Sequence, residues 1–341
     1  MKNKKSFSRR TFLTGTLTTG ALAITPKSLR SNENIFSYIT RHGPSSGIAK
    51  LNGNENPYGP SQKALRAINE ASKKSGYYVH TSGETLRSMI AEKNGLTNDY
   101  IILSSGSTAA LTNIALASIK KGHILAPDLF WDSTANLAAG TSQNKLKRLP
   151  SNTKHQIDLG IMKNSISKDI SLVHITNPNN PTGSVLNNSD LKEFCREVSK
   201  TCTILIDEAY NDLTDNPKSS TMIPLIKEGR NIIVTRTFSK IHGLAGLRIG
   251  YMIAKPKLIK EIMKFGIIGN WTTNHAGIAA AIASYNDKNF LSHSKAMINE
   301  GKEMVMEAVK KNGLSALPSK ANFIFVNLGS LNADKFKASM A

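Results

Sequence analysis

The sequence predicts an α/β fold, a three-layer domain built on a mainly parallel sheet, and three observations carry that expectation. From about Tyr100 onward, short apolar runs alternate with segments of helical periodicity. Nearly every apolar run ends in polar, Gly or Pro residues, the character of strand ends that open onto a ligand. Helical patterns also lie before Tyr100 and after Lys257, which places a smaller α+β domain at the two chain ends.

In chain order, a Gly/Pro/Asn-rich arm over residues 43–60 precedes a helix expected from about Ser61 to Lys74. Strands are then expected at Ile101–Leu103, Ile124–Ala126, Leu172–Ile175, Ile204–Ile206, Ile232–Val234 and Ile249–Ala254. A late strand is expected over Asn322–Leu328. The division that follows is an arm with part of the small domain over 26–60, a large domain over 61–261 and a small domain over 262–341.

With 40% hydrophobic residues, the 341-residue chain fills one large core or two unequal ones. No run of 18 apolar residues appears, so no membrane span is expected. Lys and Arg outnumber Asp and Glu by 44 to 24. The basic residues are scattered over helix faces without an aromatic-lined groove, which argues for a solvated surface and against nucleic acid. Two cysteines and eight histidines show no ligand spacing, so no metal is expected. The first 25 residues differ: Lys2, Lys4 and Lys5 lead into Arg9-Arg10 and a mildly apolar stretch from Leu13 to Ile24. That pattern resembles a twin-arginine export signal, which predicts a periplasmic or exported protein; a basic N-terminal tail on a cytoplasmic protein is the alternative.

Four segments carry chemistry. The first runs from Thr237 to Gly250 and places Lys240 just past an apolar strand, between Thr237, Ser239 and Arg248. Two hydroxyls and a bidentate guanidinium suit a phosphate, and a desolvated lysine beside a cation is a nucleophilic amine. Together they describe a phosphate-bearing aldehyde held next to Lys240. The second segment is Ile204-Leu205-Ile206-Asp207-Glu208-Ala209-Tyr210. Asp207 emerges from an apolar strand where a carboxylate can keep a pyridine nitrogen protonated, and Tyr210 can reach the ring's 3′-oxygen. Alone, the same segment would read rather as a helix N-cap at Asp207. Third, Asn177 to Gly183 forms a Pro-rich turn that places Asn180 to share that oxygen with Tyr210. Fourth, Ser104-Ser105-Gly106-Ser107-Thr108 leads a strand into a helix whose first N–H groups at Gly106, Ser107 and Thr108 suit an anion.

In this order and spacing the four segments resemble the class I/II aminotransferases of pyridoxal-5′-phosphate (PLP) fold type I. The arm from Leu51 to Ser61 is similar to that of the histidinol-phosphate aminotransferase branch. The resemblance covers roughly residues 45–330 and implies PLP as cofactor, bound covalently through Lys240. It further implies amino transfer from a histidinol-phosphate-like or aromatic amino donor to a 2-oxo acid such as 2-oxoglutarate. Lys240, Asp207 and Tyr210 would then be catalytic. A homodimer is implied, with Tyr58 reaching the neighbouring subunit's cofactor phosphate, and Trp131 takes the place of the ring-stacking tyrosine. Threonine-phosphate decarboxylases share nearly all of these motifs, so a decarboxylase or lyase is the alternative. The family's substrate-gripping arginine lies after the strand expected at Asn322–Leu328, yet no arginine follows Arg248. The expectation is therefore either a fragment or truncated form, or a chain in which another basic residue substitutes; a PLP-binding protein without catalysis is a further alternative.

Overall fold

A computed structural model describes residues 50–142 and 145–340. The export-signal-like segment 1–25 and the arm up to residue 49 lie outside the described residues. The chain forms two compact units, residues 1–53 and 54–341. The architecture below belongs to the second.

Its centre is a seven-stranded sheet of β1 (Ile101–Ser105), β2 (His123–Pro127), β3 (Leu146–Leu149), β4 (Ile170–Thr176), β5 (Thr203–Asp207), β6 (Ile232–Thr237) and β7 (Ile249–Ile253). The strand order is β1-β7-β6-β5-β4-β2-β3. Pairs among β2 to β6 are parallel, whereas β7 runs antiparallel to both β1 and β6. The sheet is clothed by α1 (Gln62–Ser72), α2 (Thr81–Asn94), α3 (Gly106–Ile119), α4 (Ser133–Gly140), α5 (Asn188–Val198) and α6 (His275–Tyr285).

The central strands are apolar on both faces because both faces are covered. Their period of two divides each strand between two cores. Val173, Ile175, Ile204, Ile206, Ile232 and Val234 pack in one core with residues of α1, α2, α5 and α6. Leu172, Leu205 and Ile233 point the other way, into a core built with α3. Asp207 continues the Leu205 series and so faces α3; Glu208 continues the Ile204 series and faces the opposite core.

The helix expected from Ser61 to Lys74 is α1, and Ser61 is its N-cap, its Oγ accepting from the Ala64 N–H at 3.1 Å. Two departures from expectation are instructive. The strand β3 was not expected, because Leu146-Lys147-Arg148-Leu149 is a short edge strand with its basic middle exposed. Conversely, the strand expected over Asn322–Leu328 shrinks to Val326–Asn327, β9, which pairs with Ser315–Ala316, β8. Asn322 and Phe323 turn their side chains inward to the arm and to Tyr210 instead of extending that ladder. Among the described residues no helix is long and apolar enough to cross a membrane.

Candidate active site

The C-terminal ends of β4, β5 and β6 and the start of α3 meet at one edge of the sheet. Parallel register aligns Thr176 with Asp207 and Asp207 with Thr235. Asp207 is buried and accepts a 2.9 Å hydrogen bond from the Thr235 hydroxyl. Burial pushes its carboxyl up to about 6, a rise that the Thr235 and Ala209 hydrogen bonds and the Lys240 charge moderate. Thr176 Oγ1, in the same ladder, is buried without a hydrogen-bond partner.

Lys240 follows β6 by three residues. Its Nζ donates to the Asn54 backbone carbonyl at 2.9 Å and lies 5.3 Å from the centre of the Tyr210 ring. Burial lowers the Lys240 pKa and the Arg248 charge adds to that; Asp207 and Glu55 oppose it. Tyr210 is buried, and its hydroxyl accepts from Asn54 Nδ2 at 3.1 Å and Asn180 Nδ2 at 3.3 Å. Burial pushes its phenol up to about 12, so it is a neutral donor at physiological pH. The Asn180 turn is fixed by Asn179, whose side-chain amide donates to the Leu129 carbonyl and the Thr182 hydroxyl, each at 3.0 Å.

Arg248 occupies a left-handed backbone conformation, φ 54°, and its carbonyl accepts from the Gly106 N–H at 2.9 Å. Its guanidinium lies against Gly106: a Cβ added there would stand 2.3 Å from Nη2. Gly106 is also at φ 69°, so both space and backbone require glycine at the head of α3. Gly250 performs a related service, since a Cβ on it would stand 2.4 Å from the Ser107 nitrogen. Nearby, the Thr237 hydroxyl donates to Ser239 Oγ at 2.8 Å and accepts from the Ser239 N–H at 3.1 Å.

The structure therefore brings together Lys240, Asp207, Tyr210 and Asn180 at one end, and Gly106, Ser107 and Arg248 at the head of α3. Thr237 and Ser239 join the two through the chain that carries Lys240. The Thr108 side chain is exposed. Trp131 is half-buried and packs against the α3-side core. Tyr58 is 42% exposed, with its N–H on Asn56 Oδ1. Sequence reasoning missed Asn54 and Thr235. Asn54 lies inside the arm motif, where no role was assigned to it. Thr235 was findable, because parallel pairing of two apolar strands puts a polar residue of one beside the emerging carboxylate of the other.

This arrangement fits PLP in its chemistry. Among the described residues Asp207 is a buried carboxylate without an ion-pair partner at hydrogen-bond distance, the complement of a protonated pyridine nitrogen. An amine, two amides and a phenol would suit its aldehyde and 3′-oxygen. A guanidinium beside a helix N-terminus and glycine backbone would suit its phosphate.

Comparison with known proteins agrees with that chemistry. The family described as aminotransferase class I and II matches residues 46–341. A histidinol-phosphate aminotransferase of Moorella thermoacetica is 32% identical over 294 residues, covering 85% of this chain and 75% of that protein. Histidinol-phosphate aminotransferase 1 of Cupriavidus pinatubonensis is 33% identical over 285 residues, covering 83% and 75%. The solved histidinol-phosphate aminotransferase of Sinorhizobium meliloti, in complex with pyridoxal-5′-phosphate, is 25% identical. It superimposes with a TM-score of 0.75 over 95% of this chain and 84% of that one.

Proposed function

Because the chain belongs to the class I and II aminotransferases, PLP-dependent enzymes of fold type I, we propose that it moves the amino group of a histidinol-phosphate-like or aromatic donor to a 2-oxo acid such as 2-oxoglutarate. The observation that carries this reading is the convergence of Lys240, Asp207 and the Tyr210–Asn180 pair at one sheet edge, beside Arg248 and the head of α3.

When bound, PLP supplies the electron sink that makes a substrate Cα–H acidic. Asp207, held in place by Thr235, would keep a proton on the ring nitrogen. Tyr210 and Asn180 would hydrogen-bond the 3′-oxygen. Arg248, Thr237, Ser239 and the N–H groups of Gly106 to Thr108 would hold the phosphate, and Trp131 would offer the ring an aromatic neighbour. Lys240 would hold the cofactor through its amine and would serve as the base that accepts and returns the substrate Cα proton. A lowered pKa suits that role, since the amine must be neutral to accept the proton.

Two wider readings belong to the same proposal. Tyr58, exposed on its own protomer, suits a contact with the cofactor phosphate of a second copy in a homodimer. The Arg9-Arg10 segment supports export to the periplasm, with a large domain over 61–261 and a small one from 26–60 and 262–341.

The test is Lys240→Ala. Borohydride reduction of the PLP-loaded wild-type protein should label Lys240, and the variant should lose both the label and amino transfer, a fall of at least about a thousandfold. A label that persists on another lysine refutes the assignment.

A further inference from the structure

Lys240 and Tyr210 share a neighbour. Asn54 offers its backbone carbonyl to Lys240 Nζ at 2.9 Å and its side-chain amide to Tyr210 Oη at 3.1 Å. Asn54 sits in a stretch without helix or strand, and a carbonyl there is only as well aimed as its tethers allow.

The principal tether comes from the other end of the chain. Asn322 has two side-chain N–H bonds and spends them on adjacent carbonyls, Asn54 at 3.0 Å and Glu55 at 3.1 Å. Its own Oδ1 is buried without a hydrogen-bond partner, so the amide's orientation is set by that fork. Phe323, the next residue, meets the Tyr210 ring edge-on, with centroids 5.1 Å apart at 83°. The four residues close a ring: Asn322 holds Asn54, Asn54 holds Tyr210, and Tyr210 packs on the neighbour of Asn322. Asn56 anchors the far side of the arm, donating to the Ile241 carbonyl at 2.9 Å and Ser294 Oγ at 2.7 Å.

We propose that Asn322 is a positioning residue for amino transfer, its amide forking the Asn54 and Glu55 carbonyls so that Asn54 aims one group at the Lys240 amine and another at the Tyr210 hydroxyl. The proposal rests on Lys240 being the amine that moves the proton. A carbonyl accepts and cannot donate, so it fixes one N–H of a neutral amine and leaves the lone pair free to point at substrate Cα. It also restricts a side chain with four rotatable bonds to one direction, and misplacing a proton-transfer group by about 1 Å costs on the order of a hundredfold in rate. If the fork is lost, Asn54 swings away, water reaches Lys240, and Tyr210 keeps Asn180 alone of its two amide donors.

The experiment uses the PLP-loaded full chain. Asn322→Leu removes both donors at similar volume, and Asn322→Asp sets a carboxylate against two carbonyl oxygens. Expected are a Kd for PLP within about threefold of wild type, since the phosphate cradle is untouched. The kcat should fall about ten- to a hundredfold in the leucine variant and further in the aspartate one. The pH at which kcat is half-maximal should rise, because water relieves the burial that lowers the Lys240 pKa. Adding Asn54→Ala to Asn322→Leu should cost less than Asn54→Ala costs in wild type, since without the fork Asn54 no longer holds its amide on Tyr210. Asn322→Gln, which keeps an NH2 group, should recover part of kcat; if the leucine variant does not fold, this variant and Asn54→Ala carry the comparison. A merely structural role lowers Tm but leaves kcat per folded molecule and its pH profile unmoved, and that result, or additive losses, overturns the inference. If borohydride labels a lysine other than Lys240 in wild type, the functional reading itself fails; if it labels Lys240 while Asn322→Leu is kinetically silent, only the positioning role fails.

Discussion

Asp207 and Glu208 are consecutive carboxylates at the end of β5, and the two sides of the sheet treat them in opposite ways. Glu208 points into the core shared with α1, α2, α5 and α6, where its side chain is 1% exposed. It accepts from Arg236 Nη2 at 2.7 Å and Nε at 3.0 Å, from the Thr221 hydroxyl at 2.8 Å, and from the Met222 N–H at 2.7 Å. Every lone pair that matters is answered within the protein. Asp207 is buried just as deeply on the α3 face, yet it has the Thr235 hydroxyl and the Ala209 N–H and no guanidinium. The difference separates structure from chemistry: a carboxylate saturated by its own fold is scaffold, whereas one buried with charge to spare is built for a partner that arrives later.

The largest expected effect tests the saturated side. Glu208→Ala leaves Arg236 buried without its anion, which should cost about 3–5 kcal/mol of stability in urea denaturation. A loss under about 1 kcal/mol would mean the pair is not the anchor its geometry describes. The matching change on the other side should have the opposite sign. With a folded pKa near 6 against the usual 3.8, Asp207 keeps a proton in the folded state that the unfolded state has released. Stability of the cofactor-free protein therefore declines as pH rises from about 4 to 6. Asp207→Asn removes that decline, so above pH 6 the cofactor-free variant should be more stable than wild type by about 2–3 kcal/mol. His174 and His242, both buried and pushed down to about 4, slope the other way, with stability lost as pH falls from 6.5. Subtracting wild type from variant at each pH cancels them. The same variant should bind PLP more weakly and lose amino transfer, so stability and activity should move apart.

How far this contrast was legible in the sequence depends on what each residue needs. The sheet was, because six buried strands are continuous apolar runs, and that pattern records burial directly. Lys240, Asp207, Tyr210 and Asn180 also stood out as candidates, since each sits a short step past such a run, whereas Arg248 stands just before β7. The strand β3 was not, because an exposed edge strand with Lys147 and Arg148 at its middle has no apolar signature. Asn322 was hidden for a different reason: its partners, Asn54 and Glu55, lie more than 260 residues away, and no local pattern encodes which carbonyls an amide will find. The opposite fates of Asp207 and Glu208 follow from the strand's period of two, but that Arg236 would meet Glu208 required the β5–β6 pairing.

On the chemical face the compensating charge is set apart from the buried carboxylate. Arg248 is exposed and rests on Gly106, so it holds little of the fold. Arg248→Ala should weaken PLP binding by roughly 1.5–3 kcal/mol, the scale of hydrogen bonds to a charged group, while the urea midpoint of the cofactor-free protein stays put. Equilibrium titration of PLP absorbance checks the first part. A drop in stability as large as that of Glu208→Ala would erase the distinction between the two arginines.

The smallest expected effect asks how Asp207 is kept usable at all. Among the described residues the Thr235 hydroxyl is the one side-chain donor holding its carboxylate, at 2.9 Å, and Val at 235 would preserve the β-branched shape without the donor. Losing a hydrogen bond to a charged acceptor costs about 1.5 kcal/mol at the lower end of its range, which corresponds to about one pH unit. In Thr235→Val the pH window over which the cofactor-free protein loses stability should extend upward from about 6 by that amount, because the ionised form has lost its support. PLP affinity at neutral pH should fall slightly, since a carboxyl that ionises later pairs less readily with a ring N–H. If the window does not move, burial alone sets the Asp207 proton, and Thr235 is as structural as Thr221 on the opposite face.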